Sequence, residues 1–358
     1  MSSQLQPKVS VIIPHHNNFS ILNECLQSLQ KSNYLNIEII VVDNHSTDGS
    51  TREIRQKYNN LIIQKSDINL GYAGGCNLGS EIASGDYLLF LNNDTTHESN
   101  FIDELVGTLN SNEKIACVQP KIKNYNQKKY FDYAGASGGF IDYLVFPFCR
   151  GRIFNTIEKD TGQYNDKRRV FWTSGTAFLT RKKVFKDLGR FDEKLFAHME
   201  EIDYCWKCYL SGYECFVNPE ATIYHYGGQT LGYESAYKTY LNHRNSMILL
   251  LTNYNLGLSF MLFGCRFILE IISSLNELCR LRIFHFLAHY GALLSLCNIF
   301  YLIKRRIFNN KIRKVSDITL LVKNIIYSKS IVNKYYILRK KTFKDIDVPG
   351  KGLEPSHR

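Results

Sequence analysis

The run Tyr87–Leu91 is apolar and of strand length, and it ends abruptly in Asn92, Asn93 and Asp94. Unpaired buried polar atoms cost about 2–7 kcal/mol each, so a buried strand takes such an ending only where those groups have a function at its carboxyl end. The pattern occurs twice upstream. Val9–Pro14 runs into His15, His16 and Asn17, and the strand Ile37–Asp43 ends on its carboxylate and runs into Asn44. Pro14 stops its strand by removing a ladder donor. A helix with Leu22, Cys25, Leu26 and Leu29 on one face is expected after Ser20 as N-cap. A short strand is expected over Leu61–Gln64, and Asn69–Gly79 reads as a glycine-rich loop leading into a helix. Strands alternating with helices at this spacing predict an α/β fold with a mainly parallel, Rossmann-like sheet. Ligands of open α/β sheets bind beyond the carboxyl ends of the strands. Three polar endings along one sheet edge therefore mark a site.

The formal net charge is +11, but it is unevenly placed: from Lys304 onward there are 15 Lys/Arg against 4 Asp/Glu, and the preceding residues balance. This excludes a body laid along nucleic acid and predicts a tail that meets an anionic surface. The amino terminus lacks the charged and long apolar regions of a signal peptide. With ten scattered cysteines, reduced thiols in the cytosol are expected. The lone CxxC of Cys205 and Cys208 reads as helix packing.

Four regions follow: a nucleotide-binding half over 1–110, an aromatic and glycine-rich half over 111–235, an apolar helical extension over 236–306, and a basic tail over 307–358. In the second half, Phe131–Ala136, Trp172–Ala177 and Gly189–Asp192 precede an acidic run ending in Glu200, Glu201 and Asp203. Asp203 and Lys207 are spaced as a helix-surface pair. Glu200 and Glu201 are expected just ahead of that helix, where no such pairing accounts for them. In the extension, Leu256–Ile272 contains Arg266 and Glu270, whereas Ile283–Ile303 is long enough to span a bilayer, for which about 20 residues are needed. His285, His289 and Asn298 make the latter a better interfacial helix than a spanning one. An apolar helix beside polybasic sequence is a two-signal anchor, here for the inner face of the cell membrane.

The ordered stretches Val9–Pro14, Val41–Ser50, Asn69–Gly79, Leu91–Asp94, Trp172–Ala177, Gly189–Glu193, His198–Trp206 and His225–Gly228 make the chain resemble an inverting family 2 glycosyltransferase of the GT-A fold. It is most similar to the rhamnosyltransferase-like branch that builds bacterial surface polysaccharides. The resemblance covers 9–230; beyond it, the helical extension is similar in character only.

The resemblance implies a nucleotide-diphosphate-sugar donor, dTDP- or UDP-linked, and a glycan or lipid-linked acceptor. Pro14, His15 and Asn17 would line the base and ribose, Asp43 would accept hydrogen bonds from them, and Asn44 and Asp48 would shape that turn. Asn69 and Gly71 begin a loop that would lie along the nucleotide, with Asn77 reaching the base edge. Asn92–Asp94 stands at the family's Asp-x-Asp motif, which implies a divalent cation, Mg2+ or Mn2+, on Asp94 with His225 completing the site. Asn92 would act through water or the sugar. One of Glu200 and Glu201 would be the base; Glu201 stands where the family has aspartate. Trp172, Ser174 and Gly175 would wall the sugar pocket, with Asp203 supporting the helix start. The alternatives are a non-catalytic glycan-binding module of the same fold and a dehydrogenase. The latter requires a G-x-G-x-x-G motif where Pro14–Asn18 stands.

Overall fold

The computed structural model describes residues 6–227, 235–346 and 348. The first half alternates β1 (Val9–His15), α1 (Phe19–Leu29), β2 (Ile37–Asn44), α2 (Ser50–Lys57), β3 (Ile62–Ser66), α3 (Gly71–Ile82) and β4 (Tyr87–Leu91). Next come β5 (Thr95–His97), α4 (Phe101–Asn110) and β6 (Ile115–Asn124), followed by the short strands β7 (Gly139–Ile141), β8 (Pro147–Cys149), β9 (Arg152–Ile153) and β10 (Thr156–Ile157). The second half closes with β11 (Arg168–Val170), β12 (Ala177–Arg181), α5 (Lys182–Asp187), α6 (Glu200–Leu210) and β13 (Glu214–His225).

The main sheet has the order β11-β13-β6-β12-β4-β1-β2-β3, with β5 on the end of β13. The ladders of β1 with β2 and β4, and of β2 with β3, are parallel. The inserted strand β12 runs antiparallel between β4 and β6. The architecture is a mixed, mainly parallel sheet flanked by helices, as the resemblance implied. Its central strands are buried on both faces, which explains the unbroken apolar run of Tyr87–Leu91. That run must end where the flanking helices no longer cover it. The polar endings of β1, β2 and β4 consequently share one sheet edge.

Two boundaries differ from expectation. The glycine-rich stretch is helical from Gly71, because its glycines let α3 lie directly on the sheet: a Cβ on Gly79 would stand 2.5 Å from Ile12 Cγ2. Gly71 itself has φ of +69°, and a Cβ there would stand 2.4 Å from the Phe196 carbonyl oxygen. Glu200 and Glu201 open α6 rather than precede it.

Beyond β13 lie α7 (Ala236–Asn253), α8 (Leu256–Cys279), α9 (Ile283–Ser295), α10 (Ile299–Ile312) and α11 (Asp317–Val322). The expected helix over Ile283–Ile303 is broken into α9 and α10, bent by 67°. Asn298 caps α10 by accepting from the Tyr301 backbone N–H at 3.3 Å. The basic tail is also not a free segment over its described length. It folds back onto a second, four-stranded sheet of order β10-β9-β8-β7, where Tyr327 donates from its backbone to Ile141 O at 2.9 Å and Phe343 packs on Phe140 and Phe148.

Asp203 is fully buried, so its pairing with Lys207 at 2.7 Å is not a surface contact. Arg305 from α10 adds a second bond at 2.5 Å, and Asn253 a third at 2.9 Å. Burial opposes the charge, but Arg305 and Lys207 outweigh it and hold the carboxyl at about 2. This network joins the helical extension to α6. Removing one partner of a buried pair strands the other charges. Asp203→Ala is therefore expected to lower the unfolding free energy by about 3–5 kcal/mol in denaturant titrations. A loss under 1 kcal/mol would contradict the bridging role.

Candidate active site

A cleft of about 440 Å³ opens along the sheet edge. Pro14, His15 and His16 reach it from β1, Asn44 from β2, Asn69 and Gly71 from the start of α3, and Asn92, Asn93 and Asp94 from β4. Ser174, Gly175, Glu200, Glu201 and His225 complete it from the second half, with Tyr237 and Lys238 of α7.

On the β1–β2 side the polar residues chiefly build one another. Asn93 Nδ2 donates to His15 Nδ1 at 2.8 Å, and His15 Nε2 then donates to Ser50 Oγ at 2.9 Å. Burial lowers the His15 pKa to about 4, in keeping with this neutral ring. Asn44 donates to Asn69 Oδ1 and Gly71 O, and accepts from the Leu70 backbone, which ties the end of β2 to the start of α3. Asp48 accepts from the backbones of Asn18 and Ser50, fixing the turn.

Several expected contacts are absent from the cleft wall. Asp43 is spent on Thr51 Oγ1 at 2.7 Å and the Ser46 N–H at 2.9 Å. Asn17, with φ of 60°, accepts from the Thr47 backbone instead of lining the cleft. Asn77 faces the other way, because α3 already runs helically there. Its carboxamide donates to Phe191 O at 3.0 Å and Glu193 Oε1 at 2.9 Å. Trp172 is core: it is 4 % exposed and donates to Phe140 O at 2.9 Å, so it walls no sugar pocket. Asp203 is committed to the ion-pair network and does not face the cleft. Gly228 lies outside the described residues.

The charged centre is at the end of β4 and β13. His225 Nε2 lies 3.2 Å from Asp94 Oδ1, and its Nδ1 donates to Asp132 Oδ1 at 2.9 Å. Asp132 was missed in the sequence; its only signal was the lone carboxylate of Phe131–Ala136. Burial opposes charge on His225, but Asp94 and Asp132 prevail and raise its pKa to about 10. Asp94 Oδ1 is buried and accepts no hydrogen bond from a neutral donor. Protonated, His225 bridges the two carboxylates; with the Nε2 proton displaced and Nδ1–H kept on Asp132, the ring and the buried Asp94 Oδ1 would offer one nitrogen and one oxygen ligand, so this donor set fits a divalent ion. Asn92 is beside them, its Nδ2 at 3.4 Å from His225 Nε2.

Glu200 and Glu201 occupy the first turn of α6, where the helix dipole favours anions. Burial nevertheless raises both carboxyls, Glu201 to about 7 and Glu200 well above its ordinary value, with Glu201's own charge adding to the latter. Each keeps one oxygen without a hydrogen-bond partner. Two adjacent carboxyls with separated affinities can hold one proton between them at neutral pH. One then remains a base while the other is an acid. Tyr72 and His198 also line this end of the cleft.

The family model of glycosyl transferase family 2 matches residues 10–189. The chain belongs to glycosyl transferase family 2. Among curated relatives, the N-acetylglucosaminyl-diphospho-decaprenol L-rhamnosyltransferase of Mycobacterium tuberculosis is 24 % identical over 243 residues, 64 % of this chain and 79 % of that protein. The glycosyltransferase GlyG of Streptococcus pneumoniae is 26 % identical over 53 % of this chain and 64 % of its own length. The crystal structure of GalNAc-T7 with UDP, GalNAc and Mn2+ superposes with a TM-score of 0.55 at 17 % identity, over 69 % of this chain and 48 % of that one. S. aureus TarS 1-349 in complex with UDP-GlcNAc gives 0.50 at 20 % identity, over 71 % and 70 %. At these identities the structural likeness carries the fold alone. The family membership makes the chain a glycosyltransferase. Its cleft lies at the carboxyl ends of β1, β2 and β4.

Proposed function

We propose that this family 2 transferase is inverting and cation-dependent, and moves a sugar from a dTDP- or UDP-linked donor to a lipid-linked glycan at the inner face of the cell membrane. The observation that carries the reading is one cleft holding both Asp94–His225 and Glu201, whose carboxyl keeps one buried oxygen without a partner. Asp94 and His225 would hold Mg2+ or Mn2+, with Asn92 alongside. The ion would neutralise charge on the leaving diphosphate. His15, His16, Asn44 and Asn69 present the polar wall for the nucleoside. Ser174 and Gly175 border the sugar, and Ser174 is fixed by donating to Ala134 O at 2.7 Å. Glu201 takes the proton of the acceptor hydroxyl as the new glycosidic bond forms, and Glu200 stays protonated beside it. The Mycobacterium tuberculosis relative is named for a polyprenyl-diphosphate-linked acceptor, which supports the lipid-linked class. A panel of nucleotide-sugars with Mn2+ and a lipid-diphosphate GlcNAc acceptor tests the reading. Transfer from one uridine or thymidine donor is expected; no turnover with any donor would sink it.

The membrane part rests on the outer faces of α8, α9 and α10. Phe260, Ile268, Phe284, Leu294, Phe300 and Ile307 are all more than half exposed, Phe300 to 88 %. A soluble surface rarely concentrates so much apolar side chain. Arg266 and Glu270 do not break this face, because they turn inward and pair at 2.7 Å, with His243 and His289 also on Glu270. α8 is long and apolar enough to cross a bilayer, yet its buried inner stripe suits a helix lying on the surface. Truncation at Lys304 would remove the structural Arg305, so point substitution is the cleaner test. Burying each Phe contributes about 1.5–3 kcal/mol. Phe284→Glu with Phe300→Glu is expected to weaken binding to phosphatidylglycerol liposomes by at least roughly 100-fold, with transfer to a soluble acceptor analogue unchanged. Equal sedimentation of both proteins would remove these helices from membrane binding.

A further inference from the structure

We infer that Asn245, in the helical extension, is a positioning residue for glycosyl transfer: its carboxamide holds the loop over 195–199 that presents Glu200 and Glu201 to the cleft. The inference rests on the reading of Glu201 as the base.

The loop cannot hold itself. Phe196, His198 and Met199 have φ of 65°, 67° and 75°, and none is a glycine. Side chains with a Cβ rarely take this left-handed region unless their surroundings impose it. Met199 is the residue immediately before α6, so this backbone sets the direction in which Glu200 and Glu201 leave the helix start.

What imposes it comes from a single turn of α7. Asn245 is fully buried, and its Nδ2 lies 3.0 Å from Leu195 O, 3.1 Å from Ala197 O and 2.6 Å from His198 O. Its Oδ1 accepts from Arg244 Nε at 2.8 Å. Arg244 then donates through Nη2 to Lys194 O at 2.8 Å and Leu195 O at 3.0 Å. On the far side, Phe196 O accepts from the Ala73 backbone at 3.1 Å, beside the positive-φ Gly71. The catalytic loop is therefore clasped between α3 and α7, with most of its carbonyls satisfied by two adjacent side chains. A core carboxamide merely filling space would not direct its donors at three carbonyls of one strained loop. Asn245 does not line the cleft, so it acts only through that loop.

Asn245→Asp keeps the shape and turns donors into acceptors against three carbonyls. It is expected to lower kcat about 100-fold, the scale of a catalytic group displaced by about 1 Å, with the donor dissociation constant in calorimetry within threefold of wild type. Arg244→Ala, at a partly exposed position, is expected to lower kcat about tenfold with the same unchanged donor binding. A purely structural role would move the melting temperature, and kcat and donor affinity together. If Asn245→Asp does not fold, Arg244→Ala decides. Unchanged kcat in the decisive variant, or a loss of donor affinity matching that of kcat, overturns the inference. If Glu201→Gln keeps full turnover while Asn245→Asp loses it, the base reading fails and the positioning of the loop stands.

Discussion

Replacing Glu201 by glutamine is expected to lower kcat by three orders of magnitude or more while leaving donor binding within a few fold. A general base contributes about 10²–10⁴ in rate, and the carboxamide keeps the shape but cannot accept the acceptor's proton. The wild-type rate is expected to rise with pH through about 7, the value to which burial raises this carboxyl. That limb should be missing from whatever activity the variant retains. The same substitution has a stability consequence with the opposite sign. A carboxyl raised in the folded state binds more protons there than in the unfolded chain between its ordinary value and about 7. Stability therefore falls as pH rises through that window. Removing the carboxyl relieves this, so Glu201→Gln is expected to melt a few degrees above wild type at pH 8 and level with it below pH 4. A variant both inactive and less stable at pH 8 would indicate a structural role for Glu201 instead.

The second large effect is expected at Asp94. Asp94→Asn preserves volume and leaves His225 its bond to Asp132, so the fold should persist. It removes the negative charge that a divalent ion needs beside a neutral imidazole. Turnover saturated with Mn2+ is expected to fall by about three orders of magnitude, since an ion on the leaving group is worth several kcal/mol of charge stabilisation. Calorimetric Mn2+ binding in the presence of nucleoside diphosphate should be lost in parallel. Loss of turnover with intact Mn2+ binding would move the ion elsewhere.

The first half of this architecture was legible because its strands are short, apolar and buried on both faces. Tyr87–Leu91 was read to the residue, and β1 and β2 to within one. The polar strand ends announced the site for the same reason: nothing in a core accounts for Asn92 to Asp94. Composition misled where glycine serves packing rather than turning. Gly71–Gly79 looks like a loop, yet the missing side chains let α3 lie on β1 and β2, and Asn77 was carried away from the cleft with it. Trp172 and Asp203 lie in recognisable stretches but face the core. Which way a residue points within such a stretch depends on partners more than 30 residues away, Phe140 for one and Arg305 for the other. Asp132 and Asn245 had no local pattern. Both act across the fold, on His225 and on the loop before α6, and only the assembled chain brings those partners together.

The configuration at the anomeric carbon of the product tests the central claim most directly. One base acting on the acceptor, with no carboxylate nucleophile in the sequence of steps, transfers the sugar in a single displacement. NMR of product made with Mn2+ and an α-linked donor is expected to show only the β-glycoside, or the α-glycoside from a β-linked donor. A product that retains the donor's configuration would contradict Glu201 as a base and require a covalent or front-face route.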